Sequence, residues 1–146
     1  RSTLFPYTTL FRSRTGPRLE TDLVGLCVAA SNKELHLANI RVDSRAAATI
    51  VAVSGGYPGF YEKEMEITGL DEKFGKQSLV FQAGTKEQDG KIVTNGGRVC
   101  CVTSYGSSIE EAVDTSLDAL EYIRFEGIYY RTDIGYEFIP HTPEEA

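Results

Sequence analysis

The sequence predicts an α+β fold, in which one long capped helix packs on a mainly antiparallel sheet. Apolar, β-branched runs at 48–53 and 98–105 are typical of buried strands. Asp89-Gly90 is a strong hairpin signal, and hairpins pair their strands antiparallel. From 109 to 123, apolar residues recur at helical spacing behind a serine cap. A helix that covers one face of such a sheet gives the α+β class.

Length and charge narrow the classes of function. The 146 residues correspond to one domain, and 41% hydrophobic with 25% charged residues is typical of a globular chain. No apolar run approaches the roughly 20 residues of a membrane-spanning helix, so we expect neither a membrane-spanning segment nor a membrane as partner. The net charge of −6 disfavours nucleic acid as a partner, because phosphate binding needs a basic face. It leaves room for a small anionic substrate held by local lysine or arginine residues.

The three cysteines, Cys27, Cys100 and Cys101, predict reduced thiols rather than a disulfide or a metal site. Neighbouring residues of a strand point to opposite faces, so Cys100 and Cys101 are poor partners for each other. The sequence contains no CxxC or Cys/His spacing of a metal site. His36 and His141 are far apart in sequence, and neither has neighbouring residues that would act with it as a general acid or base. Reduced apolar cysteines are typical of a cytoplasmic protein, which is the location we expect.

We expect both ends of the chain to lie outside the fold. Residues 3–13 resemble the translation of a DNA-sequencing adapter, so we interpret 1–13 as an artefact rather than native sequence. Residues 140–146 are polar and acidic, and we expect a mobile tail there. Between these ends, we assign 14–31 to a helix and 32–139 to the main domain.

The predicted elements follow in order along the chain. Pro17 is placed to open an amphipathic helix over 18–30, and a helical turn and a strand follow within 34–42. The apolar stripe of that helix is Leu19, Leu23, Leu26 and Cys27. The predicted extended segments after it are 48–53, 65–67, 77–83, 91–94, 98–105 and 128–135.

The helix after the longest strand carries the clearest signals. Ser107-x-x-Glu110 and Ser108-x-x-Glu111 both fit a capping box. We expect its inner face to consist of Ile109, Ala112, Val113, Ser116, Leu117, Leu120 and Ile123. We interpret the outer carboxylates as a solvated surface rather than as metal ligands; they are Asp114, Asp118 and Glu121.

Two glycine-rich turns follow strands of the predicted sheet, at 54–63 (SGGYPGFYEK) and at 95–97 (NGG). Glycine lets another backbone or a ligand come close, so each turn is a candidate binding edge. Glycine-rich turns are more often purely structural, and composition alone favours that reading.

The turns belong to a series of motifs in fixed order. The motifs are SRAA (44–47), SGGYP (54–58), YEK (61–63), ITGL (67–70), AGTK (83–86), DG (89–90), TNGGRV (94–99), IRFEG (123–127) and YRTDIG (130–135). Together they resemble the C-terminal domain of the phosphoribosylamine–glycine ligase family, also called glycinamide ribonucleotide synthetase, within the ATP-grasp superfamily. The resemblance extends from about Pro17 to Gly135.

The resemblance implies a fold of the rudiment single hybrid type, with 14–31 as a helix from the end of the ATP-grasp domain. It implies a full-length ligase that converts glycine to glycyl phosphate with ATP and Mg²⁺ or Mn²⁺. The amine of 5-phosphoribosylamine then attacks, giving glycinamide ribonucleotide, ADP and phosphate in de novo purine (IMP) biosynthesis.

The resemblance also implies candidate substrate-binding residues. One wall of the phosphoribosylamine or glycine site consists of Gly55, Gly56, Tyr57 and Pro58. An adjoining wall consists of Asn95, Gly96, Gly97 and Arg98. Arg98 is suited to bidentate pairing with a phosphate or carboxylate, and Lys63 is a weaker candidate as a point charge.

Departures from the family pattern indicate which parts of the ligase we expect to be missing from this chain. The family's Arg-Phe-Gly-Asp-Pro-Glu segment, with the metal-binding Glu and Asn before it, belongs upstream of Pro17, where the adapter-like stretch lies. Asp43-Ser44-Arg45 replaces Asp-Pro-Arg, and Glu64 replaces a glycine. We therefore expect no catalytic or metal-binding residue here, no activity alone, and ATP and metal held by the missing N-terminal and ATP-grasp domains. A standalone, non-catalytic binding module of the same fold is the alternative.

Overall fold

The computed structural model describes residues 16–72 and 74–138. The predictions for 1–13, for 140–146 and for His141 lie outside these residues. The assignments of 14–31 and 32–139 to separate units stay predictions. No helix within the described ranges is long and apolar enough to cross a membrane.

Within the described part of the chain, five strands form two antiparallel sheets. They are β1 (Ala46–Val53), β2 (Ser78–Gln82), β3 (Thr85–Gln88), β4 (Lys91–Thr94) and β5 (Arg98–Gly106). The main sheet has the order β1-β5-β2, so the longest strand lies in its centre. β3 and β4 form a hairpin whose turn residues, Asp89 and Gly90, both have positive φ. This is the geometry that an Asp-Gly turn favours.

Helix α2 (Ile109–Leu120) packs on one face of the main sheet and completes the core. Ile50 of β1, Val102 of β5 and Leu120 of α2 are fully buried there. Ser116 is buried against β1 and donates its hydroxyl to the carbonyl of Ala48 at 3.2 Å. The predicted α+β class, an antiparallel sheet with one long capped helix on it, is thereby confirmed.

The cap of α2 combines both predicted serines. Ser108 is the N-cap, and its Oγ accepts from the backbone N–H of Glu111 at 3.1 Å. The Glu111 carboxylate reaches back to the backbone N–H of Ser107 at 2.6 Å, and hydrogen bonds from Ser107 lower its pKa. The helix ends at Leu120, so Ile123 lies beyond it, although its side chain is buried in the same core.

The first α-helix, α1 (Leu23–Ser31), departs from the prediction in its start and its packing. Asp22 is the N-cap and accepts from the backbone N–H of Gly25 at 2.7 Å, whereas Pro17 lies in a separate 3₁₀ turn. The predicted stripe is wrong as a buried face, because α1 buries none of its side chains among the described residues. The helix is apolar around its circumference, so its sequence periodicity is weak evidence for one inward face.

Three predicted extended segments form isolated pairs instead of strands. Glu66 pairs with Val93 and Tyr129 pairs with Val53, while the 34–42 segment contains a 3₁₀ turn and one pair between Val42 and Leu19. The 65–67 segment still aligns with β4, because the N–H of Ile67 donates to the carbonyl of Ile92 at 2.8 Å and the N–H of Thr94 donates to that of Met65 at 2.9 Å. Glu64, with a φ of 68°, turns the backbone just before this short pairing.

Asp43 and Arg45 tie the segment before β1 to the sheet. Arg45 pairs with Asp43 (2.6 Å) and lies over the ring of Tyr105, 4.1 Å from its centroid. Arg18 donates twice to the carbonyl of Asp43, at 2.9 and 3.1 Å. Hydrogen bonds from the side chain and backbone of Arg45 lower the pKa of Asp43 from 3.8 to about 2.

The lowered pKa of Asp43 predicts a loss of stability between pH 4 and 2. Because the carboxyl group of the unfolded chain takes up its proton at higher pH than the folded one, the stabilisation is present above about pH 4 and is lost as the pH falls through about 2. In Asp43→Asn the melting temperature should fall less across this window than in the wild type. Asp118→Asn, which removes an exposed carboxylate of α2, is the control. Identical pH profiles for Asp43→Asn and the wild type would contradict the assignment.

Candidate functional site

The two glycine-rich turns meet at one edge of the main sheet. Since β1 and β5 run antiparallel, the end of β1 lies beside the start of β5, where Val53 pairs with Arg98. Ser54 joins the turns directly: its backbone N–H donates to the carbonyl of Gly97 at 2.8 Å, and its Oγ donates to the carbonyl of Gly96 at 3.1 Å. Segments about forty residues apart in sequence therefore form one structural unit.

Tyr57 packs directly on Gly97. A Cβ at Gly97 would lie 2.0 Å from Cδ2 of Tyr57, so no side chain fits there while the ring keeps this position. Tyr61 contacts the same ring edge-on, with centroids 6.1 Å apart and an interplanar angle of 61°. Gly56 has a φ of 91°, which a residue with a side chain rarely adopts, and this conformation starts the turn that brings Tyr57 back over β5.

The joined turns contribute to the wall of an open cavity of about 240 Å³, which we call the Tyr61 cavity. Apolar and small residues make up most of its wall. The lining residues are Val51, Tyr57, Tyr61, Ala83, Gly84, Gly96, Gly97, Arg98, Cys100 and Cys101. Gly84 is required at this wall, because a Cβ there would lie 2.4 Å from the carbonyl oxygen of Arg98.

A second cavity of about 430 Å³, which we call the Tyr129 cavity, shares Val51, Tyr57 and Arg98 with the first. Three tyrosines and two arginines contribute to its wall. The lining residues are Thr49, Ile50, Val51, Val53, Tyr57, Arg98, Tyr129, Tyr130, Arg131 and Ile134. Tyr57 and Arg98 therefore separate two cavities and face both of them.

Arg98 is the positive charge that the two cavities share. Among the described residues, no side chain forms a hydrogen bond or ion pair with the half-buried Arg98 guanidinium, and no carboxylate lines either cavity. Arg131 is instead held by Asp133 through two hydrogen bonds of 2.8 and 2.7 Å, which raise the pKa of Arg131 and lower that of Asp133. An arginine without a protein partner at a cavity wall is suited to a carboxylate or phosphate ligand.

The predicted site residues divide into two groups. Tyr57, Gly96, Gly97 and Arg98 line the cavities. Five others line neither: Gly55, Gly56, Pro58, Lys63 and Asn95. Gly55 has a packing role, because a Cβ there would lie 2.8 Å from the carbonyl oxygen of Gly127. The assignment of all nine to a substrate stays a prediction.

Several lining residues were not among the predicted ones. Tyr61, Ala83 and Gly84 reach the Tyr61 cavity, and Tyr130 and Arg131 reach the Tyr129 cavity. The signal for them was present in the YEK, AGTK and YRTDIG motifs, but their chemistry alone did not place them beside the glycine turns. That placement depends on pairings such as Val53 with Tyr129 and on the bonds from the N–H groups of Ala83 and Gly84 to the carbonyl of Val99.

The thiols and carboxylates of the domain do not form a metal site. No three His, Cys, Asp or Glu side chains cluster among residues 16–72 and 74–138 in a way that would hold a metal ion. Burial raises the pKa of the Cys100 thiol to about 12, so this group is protonated at neutral pH.

The contact between Tyr57 and Gly97 predicts the effect of Gly97→Ala. The added methyl group must displace the Tyr57 ring, and overpacking of this kind costs about 1–3 kcal/mol. Gly16→Ala is the matched control, because nothing lies within 4 Å of a Cβ at that position. Denaturant unfolding of both variants in the wild-type and Tyr57→Ala backgrounds measures the coupling. The cost of Gly97→Ala should shrink without the ring, and an unchanged cost would place its origin elsewhere.

Comparison with known proteins identifies the domain. Residues 47–137 match the family described as phosphoribosylglycinamide synthetase, C domain. A phosphoribosylamine–glycine ligase of Vibrio vulnificus is 45% identical over 88% of this chain, and one of Haemophilus influenzae is 46% identical over 84%.

A solved structure adds a comparison of folds. The phosphoribosylamine–glycine ligase of Thermotoga maritima superposes with a TM-score of 0.59 and 38% identity, over 73% of this chain and 27% of that one. The chain spans about 30% of the length of the curated relatives it matches. On this evidence the chain belongs to the family of phosphoribosylglycinamide synthetase C domains.

Proposed function

We propose that this chain serves as the C domain of an ATP-dependent ligase that joins glycine to 5-phosphoribosylamine. The products are glycinamide ribonucleotide, ADP and phosphate, formed through glycyl phosphate in de novo purine biosynthesis. Membership of the C-domain family and the names of the relatives support this proposal. The observation that carries it within the chain is Arg98, which lies without a protein side-chain partner among the described residues where the two glycine turns meet.

The chemistry of the substrates matches that of the cavities. Glycine carries a carboxylate and phosphoribosylamine carries a phosphate, and a guanidinium binds either group through paired hydrogen bonds. Tyr57 and the apolar wall formed by Val51 and Ala83 limit water around such an ion pair, which strengthens it. In this proposal the domain binds and orients substrate, and the residues that act on the reacting atoms belong to other domains.

ATP and Mg²⁺ or Mn²⁺ belong to those other domains in the same proposal. The described residues contain no cluster suited to a metal ion. The partners of this chain are therefore the N-terminal and ATP-grasp domains of the enzyme, which we place in the cytoplasm.

A chimeric enzyme tests the proposal. Residues 32–139 of this chain would replace the corresponding C domain in the Vibrio vulnificus ligase, and ADP release would be measured with ATP, Mg²⁺, glycine and phosphoribosylamine. We expect kcat/KM within about tenfold of a control chimera that carries the Haemophilus influenzae C domain, which is 46% identical to this chain. A chimera that folds like the control but releases ADP no faster than the blank would indicate a standalone, non-catalytic module instead.

Arg98→Ala in the active chimera distinguishes a role of Arg98 in substrate binding from a structural role. Loss of the guanidinium should raise KM for phosphoribosylamine by about tenfold or more and leave KM for ATP nearly unchanged. Equal changes in both constants would assign Arg98 a structural role.

A further inference from the structure

The two cavities that Arg98 lines differ enough in volume to favour ligands of different size. Ligand pockets usually have volumes of about 300–1,000 Å³. The Tyr129 cavity, at about 430 Å³, lies within this range, whereas the Tyr61 cavity, at about 240 Å³, lies below it. The smaller cavity suits a group of a few atoms, and the larger one suits a ring that carries a phosphate.

The charge of the Tyr129 cavity favours a phosphate. Arg98 reaches it from the start of β5, and Arg131 reaches it from the segment after Gly127. Asp133 holds Arg131 by two hydrogen bonds, and both residues also line a neighbouring cavity. Arg98, which has no side-chain partner among the described residues, and Arg131, which Asp133 holds, thus line a cavity whose described lining residues include no carboxylate, in a chain with a net charge of −6.

The backbone keeps the second arginine beside the first. Val53 and Tyr129 exchange two hydrogen bonds, of 2.8 and 3.0 Å, which attach the 127–131 segment to the end of β1. Gly55 and Gly127 pack together where a side chain on Gly55 would clash. The glycine turn therefore positions the segment that carries Tyr129, Tyr130 and Arg131 as well as its own Tyr57.

We infer that the Tyr129 cavity is the binding site for a phosphorylated pentose, with Arg98 and Arg131 on its phosphate and Tyr129 against its sugar ring. The inference rests on the proposed function and assigns one substrate of that reaction to one cavity. Tyrosine offers a flat apolar face with a polar end, which suits the mixed surface of a sugar. Arg131 and Tyr129 become substrate-binding residues, and Asp133 becomes a positioning residue that acts through Arg131.

Calorimetric titration of the 146-residue chain with ribose 5-phosphate tests the inference without the ligase reaction. Ribose 5-phosphate should bind at least about tenfold more tightly than inorganic phosphate, because both the ring and the phosphate are held. Arg98→Ala and Arg131→Ala should each weaken its binding by about tenfold. Arg124→Ala is the charge-matched control, since this exposed arginine lines neither cavity.

Aromatic variants test the contact with the sugar. Tyr129→Ala should weaken ribose 5-phosphate binding several-fold and leave inorganic phosphate binding unchanged. Tyr122→Ala is the matched control, because Tyr122 and Tyr129 are both 61% exposed and Tyr122 lies beside Phe74, away from both cavities. The side chain of Arg131 is 57% exposed and Tyr129 is 61% exposed, so we expect Arg131→Ala and Tyr129→Ala to fold, which thermal unfolding checks.

Each outcome decides the inference. Absence of ribose 5-phosphate binding, equal affinity for inorganic phosphate, or an Arg131→Ala variant that binds like Arg124→Ala would overturn it. Binding with the expected variant profile supports the site even if the chimeric ligase is inactive, which would refute the proposed function alone. An active chimera without ribose 5-phosphate binding by the chain would refute the inference alone.

Discussion

The site depends on the two hydrogen bonds that Ser54 makes across the end of the main sheet. Both its N–H and its hydroxyl donate to carbonyls of the second glycine turn, and Ser54 as a whole residue is only 4% exposed. A buried polar group that loses its partner costs about 1–3 kcal/mol, so this junction strongly favours one arrangement of the turns. Tyr57 then lies on Gly97, and Arg98 faces the two cavities.

The main sheet and helix α2 hold the strands that carry this junction. β5 lies between β1 and β2, and the core under α2 holds the central strand on one face. The glycines at the site serve close packing rather than flexibility, because Gly84, Gly96 and Gly97 lie against backbone or an aromatic ring. In this arrangement, side chains that line the cavities come from loops and strand ends, while the sheet keeps their separations constant.

Local chemistry explains which features could be predicted from the sequence. The Asp89-Gly90 turn, the Ser108 cap and the apolar run of β5 each express their structure within a few residues, and the structure confirms them. The approach of Arg131 to Arg98 has no local signal, because it depends on the pairing of Val53 with Tyr129 across 76 positions. Lys63 was a candidate through its charge, but it lines neither cavity, and Glu64 beside it turns the chain and pairs with Lys86 at 2.6 Å.

The central claim is that Ser54 places Arg98 for anion binding, and a double-variant titration tests it directly. The measurement is the affinity of the 146-residue chain for ribose 5-phosphate in Ser54→Ala, in Arg98→Ala and in the double variant. Ser78→Ala is the control, because Ser78 is also buried and its hydroxyl bonds Ser104 at 2.7 Å, away from the turns. We expect Ser54→Ala to weaken binding about five-fold in the wild-type background, and not at all without Arg98. A folded Ser54→Ala variant that binds like the wild type, or that loses equally in both backgrounds, would contradict the account.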